Sequence, residues 1–205
     1  MRVRHHVNPF VLEQKSARLA PLELPAGRPV EVEIGCADAE FLFARAGAEP
    51  NGVHVGLEIP REWVDWVNRK AVREDRSVRA VLAHANVSVP ILFPRGSVAR
   101  FFVNFPDPWF KRWQKKRRLV DDRLVLGLHA ALTPGGDVFF QSDVWNLALD
   151  ALAVFENHAD KLENLAGPWS FWHGGNPYEA RSRRERRCEA DGKVIWRMRY
   201  RRRVV

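Results

Sequence analysis

Strand-like and helix-like stretches alternate along this chain at the spacing of a doubly wound sheet. "PVEVEIG" (29–35) and "GVHVGLEI" (52–59) read as strands, each closing on an acid near a glycine. Between them "AEFLFARAGAE" has apolar residues at helical spacing, and "REWVDWVNRKAVRED" sets Trp63, Val64, Val67 and Ala71 on one face of a second helix. "SVRAVLAH" and "VARFFVNF" predict two further buried strands, "DDRLVLGLHAAL" a helix stopped by "TPGG", and "DVFFQS" a fifth strand followed by a helix over 143–165. The alternation predicts an α/β fold with a doubly wound, mostly parallel sheet. At the far end "RRERRCEA-DG-KVIWRMRY" puts a DG dipeptide between two strand-like runs, which predicts an antiparallel hairpin over 181–205.

With 205 residues, 46% of them apolar, a single domain is expected over 1–205, led by an N-terminal extension over 1–28. No apolar run is long enough to span a bilayer, and "MRVRHHVNPF" has no hydrophobic core of a signal peptide. Cys36 and Cys188 have no ligand spacing, so a metal-free cytoplasmic protein is expected. Charge is unevenly laid down. The formal net charge is +8, yet residues 181–203 alone carry +8 and residues 111–118 carry +6, which leaves the rest of the chain at −6. Two basic blocks on an acidic body, the first interleaved with Trp109 and Trp113, predict a polyanion-binding face and point to nucleic acid.

Ligands of such sheets bind at the carboxyl ends of the strands. Glu33 ends the first strand just before Gly35, and Glu58 ends the second, where an acid can accept hydrogen bonds from ribose hydroxyls. A nucleotide or a nucleoside would fit. "GCADAE" lacks the glycine pattern that brings backbone N–H groups onto a pyrophosphate, whereas S-adenosylmethionine has no phosphate and tolerates the difference. The succession of βα units with an antiparallel end resembles the Rossmann-like strand plan of S-adenosylmethionine-dependent methyltransferases. The loop "AGPWSFWHGGNPYEAR" is long enough to be a substrate element.

Specific motifs narrow this further. "RHHVNP", "EIGCADAEFL", "GLEI", "VNFPDPWFKRWQKKRRLV", "LTPGGDVFFQSD" and "SRRERRCEADGKVIWRMRYRR" together resemble the bacterial tRNA (guanine-N7-)-methyltransferases of the TrmB type over nearly the full length. The resemblance implies methyl transfer from S-adenosylmethionine to the variable-loop guanine of tRNA, by a monomer or homodimer. It implies that Glu33, Gly35 and Glu58 hold the cofactor, and that Asp107 of FPDPW is the catalytic or guanine-positioning acid at the edge of the same pocket. Lys111, Asp143 and the S-x-x-E element Ser182, Arg183, Arg184 and Glu185 correspond to substrate contacts, while Lys115, Lys116, Arg117 and Arg118 would follow the RNA backbone. His84, with Asn86 as the other option, falls where the family commonly contacts adenine.

N7 of guanine carries a lone pair and loses no proton on methylation, so no general base is required. The expected work of Asp107 and Asp143 is to orient the purine and oppose the charge that develops on it. Pro106 and Pro108 are expected to hold Phe105 and Asp107 extended. Ala37 and Ala39 stand at two of the family's glycine positions, and alanine is strained at either if φ is positive there. The alternative to an active enzyme is an RNA-binding relative that has lost turnover or accepts another RNA.

Overall fold

The computed structural model describes residue 16, residues 18–110 and residues 117–204. Seven strands form one sheet: β1 (Val30–Ile34), β2 (Val53–Glu58), β3 (Val78–Leu82), β4 (Val98–Asn104), β5 (Leu132–Ser142), β6 (Leu162–Asn164) and β7 (Trp196–Arg202). Their order is β3-β2-β1-β4-β5-β7-β6, parallel through β5, with β7 antiparallel to both β5 and β6. The order reverses direction between β1 and β4, which opens a crevice at their carboxyl ends.

Among the described residues these helices flank the sheet: α1 (Glu40–Ala48), α2 (Arg61–Arg73), α3 (Ala85–Leu92), α4 (Asp122–Ala131), α5 (Trp145–Glu156) and α6 (Arg183–Ala190). The pleat of β1 explains the layers. Val30, Val32 and Ile34 point into the larger core with Val89, Leu128, Leu152 and Phe155 from α3, α4 and α5. Leu42, Val64, Val67 and Ala71 of α1 and α2 make a smaller core over β2 and β3. Trp63, expected on that inner face, is 40% exposed and packs edge-on against Trp66 instead.

The alternate residues of β1 are charged yet buried, and they build a polar layer. Glu31 takes both Arg45 (2.8 and 2.9 Å) and Arg100 (2.8 Å). Arg100 continues to Asp137 at 2.8 Å, which also accepts from Arg199 and from the Tyr178 hydroxyl at 2.7 Å each. Burial alone would raise the Glu31 carboxyl, but His54, Arg45 and Arg100 prevail and hold it down at about 2. This network seats the 165–182 loop, through Tyr178, against β4 and β5.

Two sequence expectations are corrected here, and one helix is added. The antiparallel C-terminal pair exists, but its first arm is β6. Residues 183–190 are helical, because Arg, Glu and Ala favour a helix and Ser182 caps it, its Oγ accepting from Glu185 N at 3.1 Å. The helix expected over 143–165 stops at Glu156, and β6 occupies its end. Residues 85–92, for which no helix was expected, form α3 despite Pro90, whose ring lies over the place where Gly127 of α4 has no side chain.

Candidate active site

Glu33, Glu58, Asp107 and Asp143 come from the carboxyl ends of β1, β2, β4 and β5, so the fold gathers four acids from across the sequence onto one edge. Glu33 is buried. Its Oε1 accepts from Asn104 Nδ2 at 2.7 Å, while Oε2 makes no hydrogen bond among the described residues. Burial, with Glu58 and Asp38 adding to it against the Asn104 bond, pushes the carboxyl up to about 8. Glu58 accepts from Ala37 N (2.6 Å) and Ile59 N (2.7 Å), and burial together with the charge of Asp107 raises it. Each Glu58 oxygen keeps a second lone pair for a ligand hydroxyl.

The turn between Glu33 and α1 has the backbone that its alanines make costly. Gly35 has φ 76°, with open space where a Cβ would stand; Ala37 has φ 46° and Ala39 φ 53°. An L-residue in this region costs about 1 kcal/mol or more. Ala37 is exposed, so Ala37→Gly is expected to stabilise the fold by about 1 kcal/mol, raising Tm by roughly 2–4 °C for a chain of this size. The Ala39 methyl is fully buried, and losing about 0.8 kcal/mol of burial should cancel most of the gain from Ala39→Gly. Thermal denaturation reads both; a less stable Ala37→Gly would mean the turn relaxes in solution.

Asp107 is exposed on the turn after β4. Phe105 is not extended as expected: φ is 49° there and 43° at Trp109. Proline at 106 denies Phe105 the right-handed helical region, and the left-handed one turns the chain out of β4 while Phe105 N still donates to Gln141 O at 2.8 Å. Asp143 is mostly covered and paired with Arg184. His84 is the N-cap residue of α3, its N–H donating to Ser16 Oγ at 2.9 Å; Asn86 is buried and donates to Leu119 O. Lys111, Lys115 and Lys116 lie outside the described residues. Arg117 is exposed beside the Trp109 ring, whereas the Arg118 side chain is only 8% exposed and donates to Pro108 O and Asn146 O and pairs with Asp150.

The S-x-x-E element divides in two. Arg183, Arg184 and Arg186 reach outward and pair with Asp38 (2.6 Å), Asp143 and Glu40, tying α6 to the turn beside Glu33. Glu185 turns inward. It is fully buried and accepts from Gln141 Nε2 (2.9 Å), Asn176 Nδ2 (2.9 Å) and Arg197 (3.1 Å). Gln141 also donates to Asn104 Oδ1 at 2.9 Å, so a buried chain Glu33–Asn104–Gln141–Glu185 runs from the pocket to α6. Asn104, Gln141 and Asn176 had no place among the expected site residues. For Asn104 and Gln141 the signal was a polar residue at a strand end in "VNF" and "FQS", where an apolar one would otherwise be buried; Asn176, in the long loop, had none.

Residues 27–198 match the family described as "Putative methyltransferase". A tRNA (guanine-N(7)-)-methyltransferase of Synechococcus sp. strain CC9902 is 34% identical over 214 aligned residues, covering 98% of this chain and 88% of that protein. One of Anaeromyxobacter dehalogenans strain 2CP-C is 40% identical over 175, covering 85% and 86%. The chain belongs to the tRNA (guanine-N7-)-methyltransferase family. The fold is also that of the solved precorrin-6y C5,15-methyltransferase of Geobacter metallireducens GS-15, with a TM-score of 0.54 at 15% identity over 93% of this chain and 85% of that one. The cofactor is S-adenosylmethionine. The pocket fits it: a buried acceptor without a partner suits an ammonium donor, Glu58 suits hydroxyls, and the space over Gly35 leaves room for the chain between them. Among the described residues no helix is long and apolar enough to cross a membrane.

Proposed function

We propose that this chain methylates N7 of a guanine in tRNA, and that the target is the variable-loop guanine. The observation that carries the reading is the gathering of Glu33, Glu58, Asp107 and Asp143 on one edge of the sheet, with α6 paired to Asp143 and to the turn after Glu33; in the sequence the basic 111–118 block follows Asp107 directly. Bound S-adenosylmethionine supplies an electrophilic methyl group on sulfonium. Glu33 and Glu58 hold it, with His84 or Asn86 towards its adenine. Asp107 and Asp143 accept hydrogen bonds from guanine N1–H and N2–H, and their negative charge opposes the positive charge growing on the ring. Asp143 is released from Arg184 as the RNA enters. Arg183, Arg184 and Arg186 are each about half or more exposed in these pairs, so RNA phosphates can reach them and draw them from Asp38, Asp143 and Glu40. Lys111, Lys115, Lys116 and Arg117 line the phosphate track, while Arg118 braces the turn that carries Asp107 and Ser182 caps α6.

The test is methyl transfer from labelled S-adenosylmethionine to unmodified tRNA, with the position mapped by borohydride and aniline cleavage at N7-methylguanosine. Cleavage at the variable loop, lost when that guanine is replaced by adenine, is the expected result. Label at another position or in no RNA would reject the reading.

Glu33 adds a pH dependence. Its unliganded carboxyl holds a proton below about 8, whereas a cationic donor requires the ionised form. Cofactor affinity should therefore rise with pH, by up to roughly tenfold per unit below 8, until the ligand's own amino group loses its proton near the same pH. Calorimetry at pH 7 in buffers of different ionisation enthalpy should register proton release, and Glu33→Gln should remove it. An affinity flat from pH 6 to 8 would mean that Glu33 binds in its neutral form.

A further inference from the structure

We propose that Trp145, Phe171 and Trp196 form a stacking platform for an unpaired nucleobase of the bound RNA, next to the target guanine; this rests on the tRNA reading above. The three rings touch. Trp145 lies 4.4 Å from Trp196 and 5.6 Å from Phe171 between centroids, and Phe171 lies 5.2 Å from Trp196. They meet at 48–56°, so none is sandwiched flat between the other two, in contrast to the parallel Phe155–Tyr200 pair inside the core. Phe171 and Trp196 are anchored against the main core, while Trp145 is 44% exposed. A rigid base with an open aromatic face is what stacking on an unpaired nucleobase requires.

Position ties the platform to the site. Trp145 opens α5 two residues after Asp143, and Trp196 opens β7 directly opposite Ser142 in the β5–β7 register. Phe171 comes from the long loop that also carries Asn176, one of the partners of Glu185. Charge points to the occupant. Asp143, two residues before Trp145, is paired with the half-exposed Arg184, and Asp150 on the same helix is paired with Arg118, so the acids nearest to Trp145 in the sequence are both neutralised. An aromatic face whose neighbouring acids are already paired with arginines does not repel the phosphate that accompanies a nucleobase. A second copy of this chain would bring the same +8 segment, 181–203, against its own image, which like charge opposes.

The experiment compares wild type, Trp145→Phe and Trp145→Ala in binding to unmodified tRNA and to transcripts made abasic, one at a time, at nucleotides flanking the methylated guanine. Trp145→Ala is expected to weaken tRNA binding roughly five- to a hundred-fold, and Trp145→Phe to restore most of it. The salt slope should not change, because no phosphate contact is lost. One abasic transcript should weaken wild type similarly and leave Trp145→Ala unaffected. Equal affinity of all three proteins for intact tRNA, or losses at every abasic position that simply add to that of Trp145→Ala, would overturn the platform. A change in oligomeric state on Trp145→Ala, read by light scattering, with tRNA affinity intact would assign the patch to self-association instead. Failure of the wild type to bind or methylate any tRNA would reject the tRNA reading itself.

Discussion

Asp107→Asn is expected to lower kcat for tRNA methylation by roughly 10²-fold or more, the scale seen when a preorganised electrostatic contact is removed from a developing charge. The substitution keeps size but exchanges one acceptor for a donor facing N1–H or N2–H, and it deletes the charge that opposes the forming cation. Affinity for whole tRNA should stay near wild type, because phosphate contacts dominate it. Stability should also stay within about 0.5 kcal/mol, since Asp107 is exposed. A second readout separates loss of charge from local distortion: Asp107 raises the Glu58 carboxyl, so in Asp107→Asn that carboxyl should titrate lower. If the variant methylates at the wild-type rate, Asp107 only terminates the turn after β4.

Much of this arrangement was legible in the sequence because it rests on local pattern. Period-two and helical spacing located β1 to β5 and α1, α2 and α4, and the acids at strand ends followed from the general rule for such sheets. The misses have particular causes. No helix was expected over 85–92, where Pro90 interrupts the helical signal; the close approach allowed by Gly127 supports α3 around it. The DG turn signal in the C-terminal segment competed with a capping signal, Ser182 followed three residues later by Glu185, and the capping signal was the right one. The positive φ at Ala37 and Ala39 could be anticipated only through the family resemblance, which implies glycine positions there, and not from the alanines themselves. The chain from Glu33 to Glu185 was illegible because it joins β1, β4, β5 and α6, whose members are up to 152 positions apart and share no local motif.

That chain yields the largest expected effect on stability. Glu185→Ala removes the acceptor of Gln141, Asn176 and Arg197 at once, and the Arg197 side chain, only 12% exposed, would be left with Glu189 at 3.7 Å as its carboxylate partner. Breaking a buried pair from one side costs about 3–5 kcal/mol, a large part of the 5–15 kcal/mol that holds a typical domain together. At this chain length Tm should fall by roughly 6–20 °C. Glu185→Gln keeps an acceptor in place and removes only the charge, so its loss should be clearly smaller. The effect should also reach the pocket, because Gln141, released from Glu185, no longer fixes the Asn104 amide that donates to Glu33, and cofactor affinity should weaken although Glu185 is not itself a cofactor contact. An RNA-contacting Glu185 predicts the opposite pattern: unchanged Tm and cofactor affinity, with weaker tRNA binding alone. That result would mean α6 lifts when RNA binds and presents Glu185 to the substrate.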